Sequence, residues 1–80
     1  MLQKRVETVE GPFEIHLEGN RRQGYSLVVY YGYEEDGGWY LHPVCEDGKG
    51  GYALAAGGFA LSRDSGKAID EAMAELKSAL

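Results

Sequence analysis

A histidine and a cysteine three positions apart, His42 and Cys45, are the residues whose types could perform chemistry in this chain. Tetrahedral zinc would need two further ligands, and the other histidine, His16, is distant in the sequence. A Cys45 nucleophile would need His42 as its base, but residues i and i+3 of a strand point to opposite faces. The spacing therefore favours neither a metal site nor a nucleophile, and we expect no cofactor.

Two further segments resemble ligand loops without the required spacing. Residues 48–51 read Gly-Lys-Gly-Gly, but the Gly-x-x-x-x-Gly-Lys-Ser/Thr pattern of a phosphate-binding loop is missing. Glu34, Glu35 and Asp36 lack the alternating oxygen ligands and final glutamate of a calcium loop. No predicted pocket would raise the pKa of either member of a carboxylate pair. We therefore expect a binding protein and not an enzyme.

Length and charge restrict the kind of binding. A chain of 80 residues forms one domain, residues 1–80, and a deep cavity would remove core that so small a domain needs. The net charge of −5 opposes direct nucleic-acid binding and favours a basic protein partner, although it can also serve solubility alone. The single cysteine and the absence of a signal-peptide core or membrane-length apolar run favour a cytoplasmic protein.

The elements follow from hydrophobic periodicity. Alternating or continuous apolar runs predict strands at residues 3–9, 13–18, 25–33, 39–45 and 51–56, separated by glycine-rich turns. Apolar residues at helical spacing predict a helix over residues 62–80, with a stripe of Ile69, Ala72, Met73, Leu76 and Leu80. The predicted fold is α+β, an antiparallel meander of four to five strands covered on one face by a single C-terminal helix.

Regular register would divide the side chains between two faces. The helix would cover Phe13, Ile15, Leu17, Tyr25, Leu27, Val29, Tyr31, Trp39 and Leu41. The opposite face would stay open and carry Tyr30, Tyr40, His16 and His42, together with Glu14, Glu18, Val28 and Val44. Tyrosine offers a large contact area at low entropic cost, so this face is a candidate partner-binding surface. Exposed tyrosines also simply suit strands.

The turns add a charge pattern. In a meander, the turn at Glu34, Glu35 and Asp36 lies at the same end of the sheet as Glu10 and the helix start at Asp64. Such an acidic tip could occupy the place of phosphates on a basic protein. The alternative is a solvated turn.

Two resemblances bear on the partner. The run from Glu34 to Tyr40, Glu-Glu-Asp-Gly-Gly-Trp-Tyr, followed by the helix with Ala-Ile-Asp-Glu-Ala at residues 68–72, resembles the C-terminal half of HicB-type antitoxins. That resemblance implies a small sheet with a covering helix and a toxin as partner. In size, acidity and expected architecture the chain is also similar to small phage proteins that block host defence, including anti-CRISPR proteins. This implies a stoichiometric inhibitor of a basic nucleic-acid-handling site, such as a CRISPR or other defence-complex subunit, and we rank it above the antitoxin.

Overall fold

The fold consists of a five-stranded antiparallel sheet and one helix, joined by short connections. The computed structural model describes residues 2–79. The strands are β1 (Gln3–Thr8), β2 (Gly11–Asn20), β3 (Gly24–Glu35), β4 (Gly38–Glu46) and β5 (Tyr52–Leu54), and the helix is α1 (Arg63–Ser78). The strands are neighbours in the order β1-β2-β3-β4-β5, which is a meander. The predicted α+β fold is confirmed. Leu80 lies outside the described residues.

The core forms between one face of the sheet and the apolar stripe of α1. Ile69, Ala72 and Leu76 are buried, and Met73 packs against them partly buried. Their spacing of three and four residues places them on one side of the helix, as predicted. The complete buried cluster comprises Phe13, Ile15, Val29, Val44, Tyr52, Ile69, Ala72 and Leu76.

The start of α1 is fastened to the β1–β2 turn. Ser62 is the N-cap, and its side chain accepts a hydrogen bond from the backbone N–H of Ser65. The Glu10 carboxylate accepts from Ser62 N at 2.9 Å and from the buried Ser65 Oγ at 2.6 Å. These bonds lower the pKa of the Glu10 carboxyl, and the bond from Ser65 makes the largest contribution. Glu10 was expected to contribute to an acidic tip, but it is an acceptor for the helix start instead.

A two-residue turn fixes the register between β3 and β4. Asp36 and Gly37 both have positive φ, 50° and 79°, as a type I′ turn requires. The turn pairs Glu35 with Gly38, and therefore Glu34 with Trp39. Because directly opposed residues of neighbouring strands share a face, Trp39 lies on the same face as Glu34.

This register overturns the predicted faces of β4. Tyr40, His42 and Val44 pair with Tyr33, Tyr31 and Val29 on the helix-bearing side, whereas Trp39 and Leu41 lie on the open face. The prediction left five residues, 34–38, between β3 and β4, which would set Trp39 opposite Tyr33, whereas the two-residue turn sets Tyr40 there. A shift of one residue exchanges the two faces of a strand. Tyr25, also predicted in the core, pairs with Gly19 beside the β2–β3 turn and is largely exposed.

Candidate functional site

The tip of the β3–β4 hairpin is acidic and exposed. Glu34, Glu35 and Asp36 are all exposed, and no ion pair engages them within the described chain. The β2–β3 ladder reaches Tyr31, whereas β3 continues to Glu35, so the tip extends past the paired part of β2. Three carboxylates therefore stand together on a projecting turn, and none of them forms an ion pair in residues 2–79.

Aromatic side chains flank this tip on both faces. Trp39 and Tyr40 follow Gly38, the first residue of β4 after the turn, and alternation along β4 sends them to opposite sides of the sheet. They are 44% and 49% exposed, respectively. A partner that contacts the tip can therefore bury one aromatic side chain on each face of the hairpin.

Trp39 lies across the open face. Its ring packs directly on Gly32, where an added Cβ would stand 2.4 Å from the indole Cζ2 atom. The indole Nε1 donates to Glu14 Oε2 at 2.8 Å, and the Arg5 guanidinium carbon lies 4.9 Å from the ring centroid. Trp39 thus reaches from β4 to side chains of β2 and β1, and only glycine at position 32 permits this.

We predict that Gly32→Ala displaces the Trp39 indole, because a methyl group at position 32 would occupy its place. Loss of the bond to Glu14 should lower the free energy of unfolding by about 1 kcal/mol. Trp39 is the sole tryptophan, so its fluorescence emission should shift towards that of exposed indole. The control is Gly66→Ala, where an added Cβ meets only ordinary contact at 3.6 Å. Unchanged emission in Gly32→Ala would contradict the register described above.

A hydrogen-bonded row continues from Trp39 along the open face. His16 Nε2 lies 2.9 Å from Glu14 Oε1, and both side chains are only 15% exposed. The bond from His16 is the main cause of the lowered pKa of Glu14, with a smaller contribution from Trp39, while burial opposes it. Glu14 is therefore a fixed, ionised acceptor whose two oxygens are already engaged.

Tyr30 completes this row. Its hydroxyl donates to Glu18, which raises the pKa of the phenol, and its ring centroid lies 5.1 Å from that of His16. His16 and Tyr30, two of the predicted site residues, are thus together on the open face.

The other two aromatic site residues lie on the helix-bearing side. Tyr33 stacks on Tyr40 and on His42, with centroid distances of 5.6 and 4.8 Å. Beside them is an open groove of about 390 Å³, lined by Tyr31, Tyr33, His42, Leu54 and Ala56. The predicted single patch is therefore divided between two faces, and the acidic tip lies between them. Trp39 and Tyr33 were missed, although the Asp36-Gly37 pair was a signal for their placement.

The weaker sequence motifs have structural roles. Asp47 Oδ1 accepts from the backbone N–H groups of Lys49 and Gly51, and these bonds lower the pKa of Asp47. The loop at residues 48–51 is therefore held in place by the carboxylate of Asp47, the residue that precedes it.

The histidine and cysteine of β4 do not form a site either. His42 and Cys45 lie on opposite faces of β4. Within residues 2–79, no three histidine, cysteine or acidic side chains are grouped in a way that could hold a metal ion.

Comparisons with protein-family models, with curated proteins and with solved structures found no match. The helix in the described part of the chain is not long and apolar enough to cross a bilayer. The hairpin tip and its aromatic flanks are consequently the features on which a functional assignment depends.

Proposed function

We propose that this protein is a non-enzymatic, acidic binding module of the cytoplasm that inhibits a partner protein stoichiometrically. Its target is a basic, nucleic-acid-handling site, as for phage proteins that block CRISPR or other host defence complexes. The observation that carries this proposal is the projecting tip at Glu34, Glu35 and Asp36, which is exposed and without an ion pair in residues 2–79.

The charge of the tip suits such a target. Carboxylates make charge-assisted hydrogen bonds to arginine and lysine, the same side chains that hold phosphates. Adjacent residues on one turn lie within a Debye length of each other, about 8–10 Å at 0.10–0.15 M salt, so a basic site experiences their charges together. Such a cluster accelerates association with an oppositely charged partner.

The aromatic flanks supply contact area that charge alone does not. Tyrosine and tryptophan are enriched among residues that dominate binding energy, because they bury large surfaces with few rotatable bonds. Trp39 is also positioned in advance by Gly32 and Glu14, so little side-chain entropy is lost when a partner covers it. The tip would thus steer the encounter, and the aromatic side chains would hold the complex.

A charge-reversal experiment tests the proposal. Affinity capture from a host lysate followed by mass spectrometry identifies the partner, and stopped-flow kinetics then measures association. Replacing Glu34, Glu35 and Asp36 with lysine should slow association at low salt by at least about tenfold, since steering contributes factors of 10 to 1,000. The wild-type rate should itself fall as salt rises.

The matched control changes the same amount of charge elsewhere. Glu46, Glu71 and Glu75 are exposed; Glu46 lies at the end of β4 opposite the tip, and the other two lie on α1. The pair of Glu75 with Lys4 is a surface ion pair of little energetic weight. Replacement of the three glutamates with lysine should reduce association much less. Equal effects of the two triple variants would show that only net charge matters, and a rate indifferent to the tip variant would exclude phosphate mimicry.

A HicB-like antitoxin is the second candidate. The observation that favours it is the small antiparallel sheet covered by a C-terminal helix, which is the arrangement that the resemblance implies. Capture of a small toxin, with reversal of its growth arrest when the two chains are expressed together, would favour this function over inhibition of a defence complex.

A further inference from the structure

The edge of β4 next to the hairpin tip is unpaired. β5 pairs with Val44, Cys45 and Glu46 only, and a last bond on that side runs from Ala55 N to Pro43 O at 3.0 Å. From Gly38 to Leu41, no backbone hydrogen bond to another segment of residues 2–79 is formed on this side. By contrast, the outer edge of β5 is covered, because Leu54 N donates to Phe59 O and Leu61 N donates to Tyr52 O.

The backbone groups at this edge can be assigned. Along a strand, the N–H and C=O of alternate residues point to the same side. Pro43 directs its carbonyl towards β5, so Leu41 and Trp39, two and four residues earlier, direct theirs to the same side. Beyond the end of β5 the edge therefore offers two N–H donors and two C=O acceptors, in the spacing that another strand would match.

Solvent reaches β4 along this stretch, because Trp39, Tyr40 and Leu41 are all exposed. The chain leaves β5 through Gly57 and Gly58, which have φ of 82° and 64°, and the groove at Tyr33, His42 and Leu54 remains on the helix-bearing side. The side chains of Trp39 and Leu41 lie on the other face. A segment of about four or five residues, on the order of 15 Å long, would place alternate side chains against each of these surfaces.

We propose that an extended, basic segment of the partner protein adds to the sheet as a strand at Trp39 and Leu41. This inference rests on the proposed function and specifies its binding mode, which is β-strand addition. The acidic tip at Glu34, Glu35 and Asp36 adjoins the free edge and selects a basic segment by charge complementarity. Pairing with a second copy is disfavoured, because an antiparallel pair centred on Leu41 would run into β5, which already occupies the edge at Val44, Cys45 and Glu46 in each copy, and would join two acidic proteins.

The decisive variant is Leu41→Pro, compared with Leu41→Ala. Proline removes the Leu41 N–H, which makes no hydrogen bond in the described fold. Edge positions tolerate proline, and β4 already has one at Pro43, two residues later. Alanine removes the same leucine side chain but keeps the N–H. Circular dichroism should show both variants folded, with the same helix and sheet signals as the wild type.

The probe is an acetylated and amidated seven-residue peptide in which lysine alternates with valine, titrated against Trp39 fluorescence. Binding to Leu41→Pro should be on the order of tenfold weaker than to Leu41→Ala, because one backbone bond is lost and the proline ring blocks the approach of the next. The wild-type complex should also protect the amides of Trp39 and Leu41 from hydrogen exchange. A peptide with glutamine in place of lysine should bind more weakly but keep the same sensitivity to proline.

Several results would overturn strand addition: equal affinity of the proline and alanine variants, no amide protection, or no binding at millimolar peptide. Dimerisation of the wild type that Leu41→Pro abolishes would assign the edge to a second copy instead. Failure of the proposed function is distinguishable, because it appears as partner association that is indifferent to reversal of the tip charges while the peptide remains sensitive to proline.

Discussion

Truncation of Phe13 to alanine should lower the free energy of unfolding by about 3–5 kcal/mol. Phe13 is fully buried in β2 and is paired with Val6 on one side and with Tyr31 on the other. Its ring centroid lies 5.3 Å from that of Tyr31. Removal of the ring loses its transfer free energy and leaves a cavity beneath α1 that neighbouring strands cannot close by small movements.

This loss would be a large fraction of the total free energy of unfolding of the domain. Domains of this size have unfolding free energies of about 4–12 kcal/mol, so the variant should be partly unfolded in buffer or unfold at a much lower urea concentration. Phe59, the other phenylalanine of the chain, is 62% exposed and is the matched control. Phe59→Ala should change the urea midpoint little. Equal midpoints for Phe13→Ala and wild type would contradict the core described above.

Leu76→Ala should cost about 2–5 kcal/mol. Leu76 is 5% exposed and lies two turns after Ile69 on the buried side of α1, so its removal leaves a cavity between the helix and the sheet. Urea denaturation followed by circular dichroism measures the loss. Because α1 is the cover of the core, we expect helix and sheet signals to be lost together in one transition.

Leu41→Ala, at a position on the open face, is the control for Leu76→Ala and should shift the midpoint by much less. A selective loss of helix signal in Leu76→Ala, with the sheet intact, would show instead that the strands are stable without their cover. An unchanged midpoint would show that Leu76 does not belong to the core.

The fold was predictable because its determinants are local and repeated. Phe13 and Ile15 alternate with polar residues along β2, and Ile69, Ala72 and Leu76 recur at helical spacing in α1. Each such repeat indicates which side of one element is buried. A meander then needs only short turns between successive strands, which the glycine-rich connections provide.

The faces of β4 were not predictable from alternation, because both of its faces carry large side chains. Trp39 and Leu41 on one face are as apolar as Tyr40 and Val44 on the other. Turn geometry decided the register, since Asp36 and Gly37 adopt the two positive φ angles of a type I′ turn. The division of the predicted site between two faces follows from this one-residue difference.

The role of Glu10 was beyond sequence reasoning for another reason. Its partners Ser62 and Ser65 are 52 and 55 residues away along the chain. No periodicity links such positions, and a glutamate in a turn is ordinarily solvated. Only the packing of α1 against β1 brings the carboxylate to the helix start.

Chain order also determines when this protein can fold during its synthesis. The helix that covers the sheet is made after every strand that it covers, and at about 5–20 residues per second the ribosome needs about 1–5 s to pass from Leu54 to Ser78. Until then Phe13 and Ile15 have no helix against them. The apolar strand segments are consequently made before the helix that will cover them, and a chaperone that binds extended apolar segments has its opportunity in that interval.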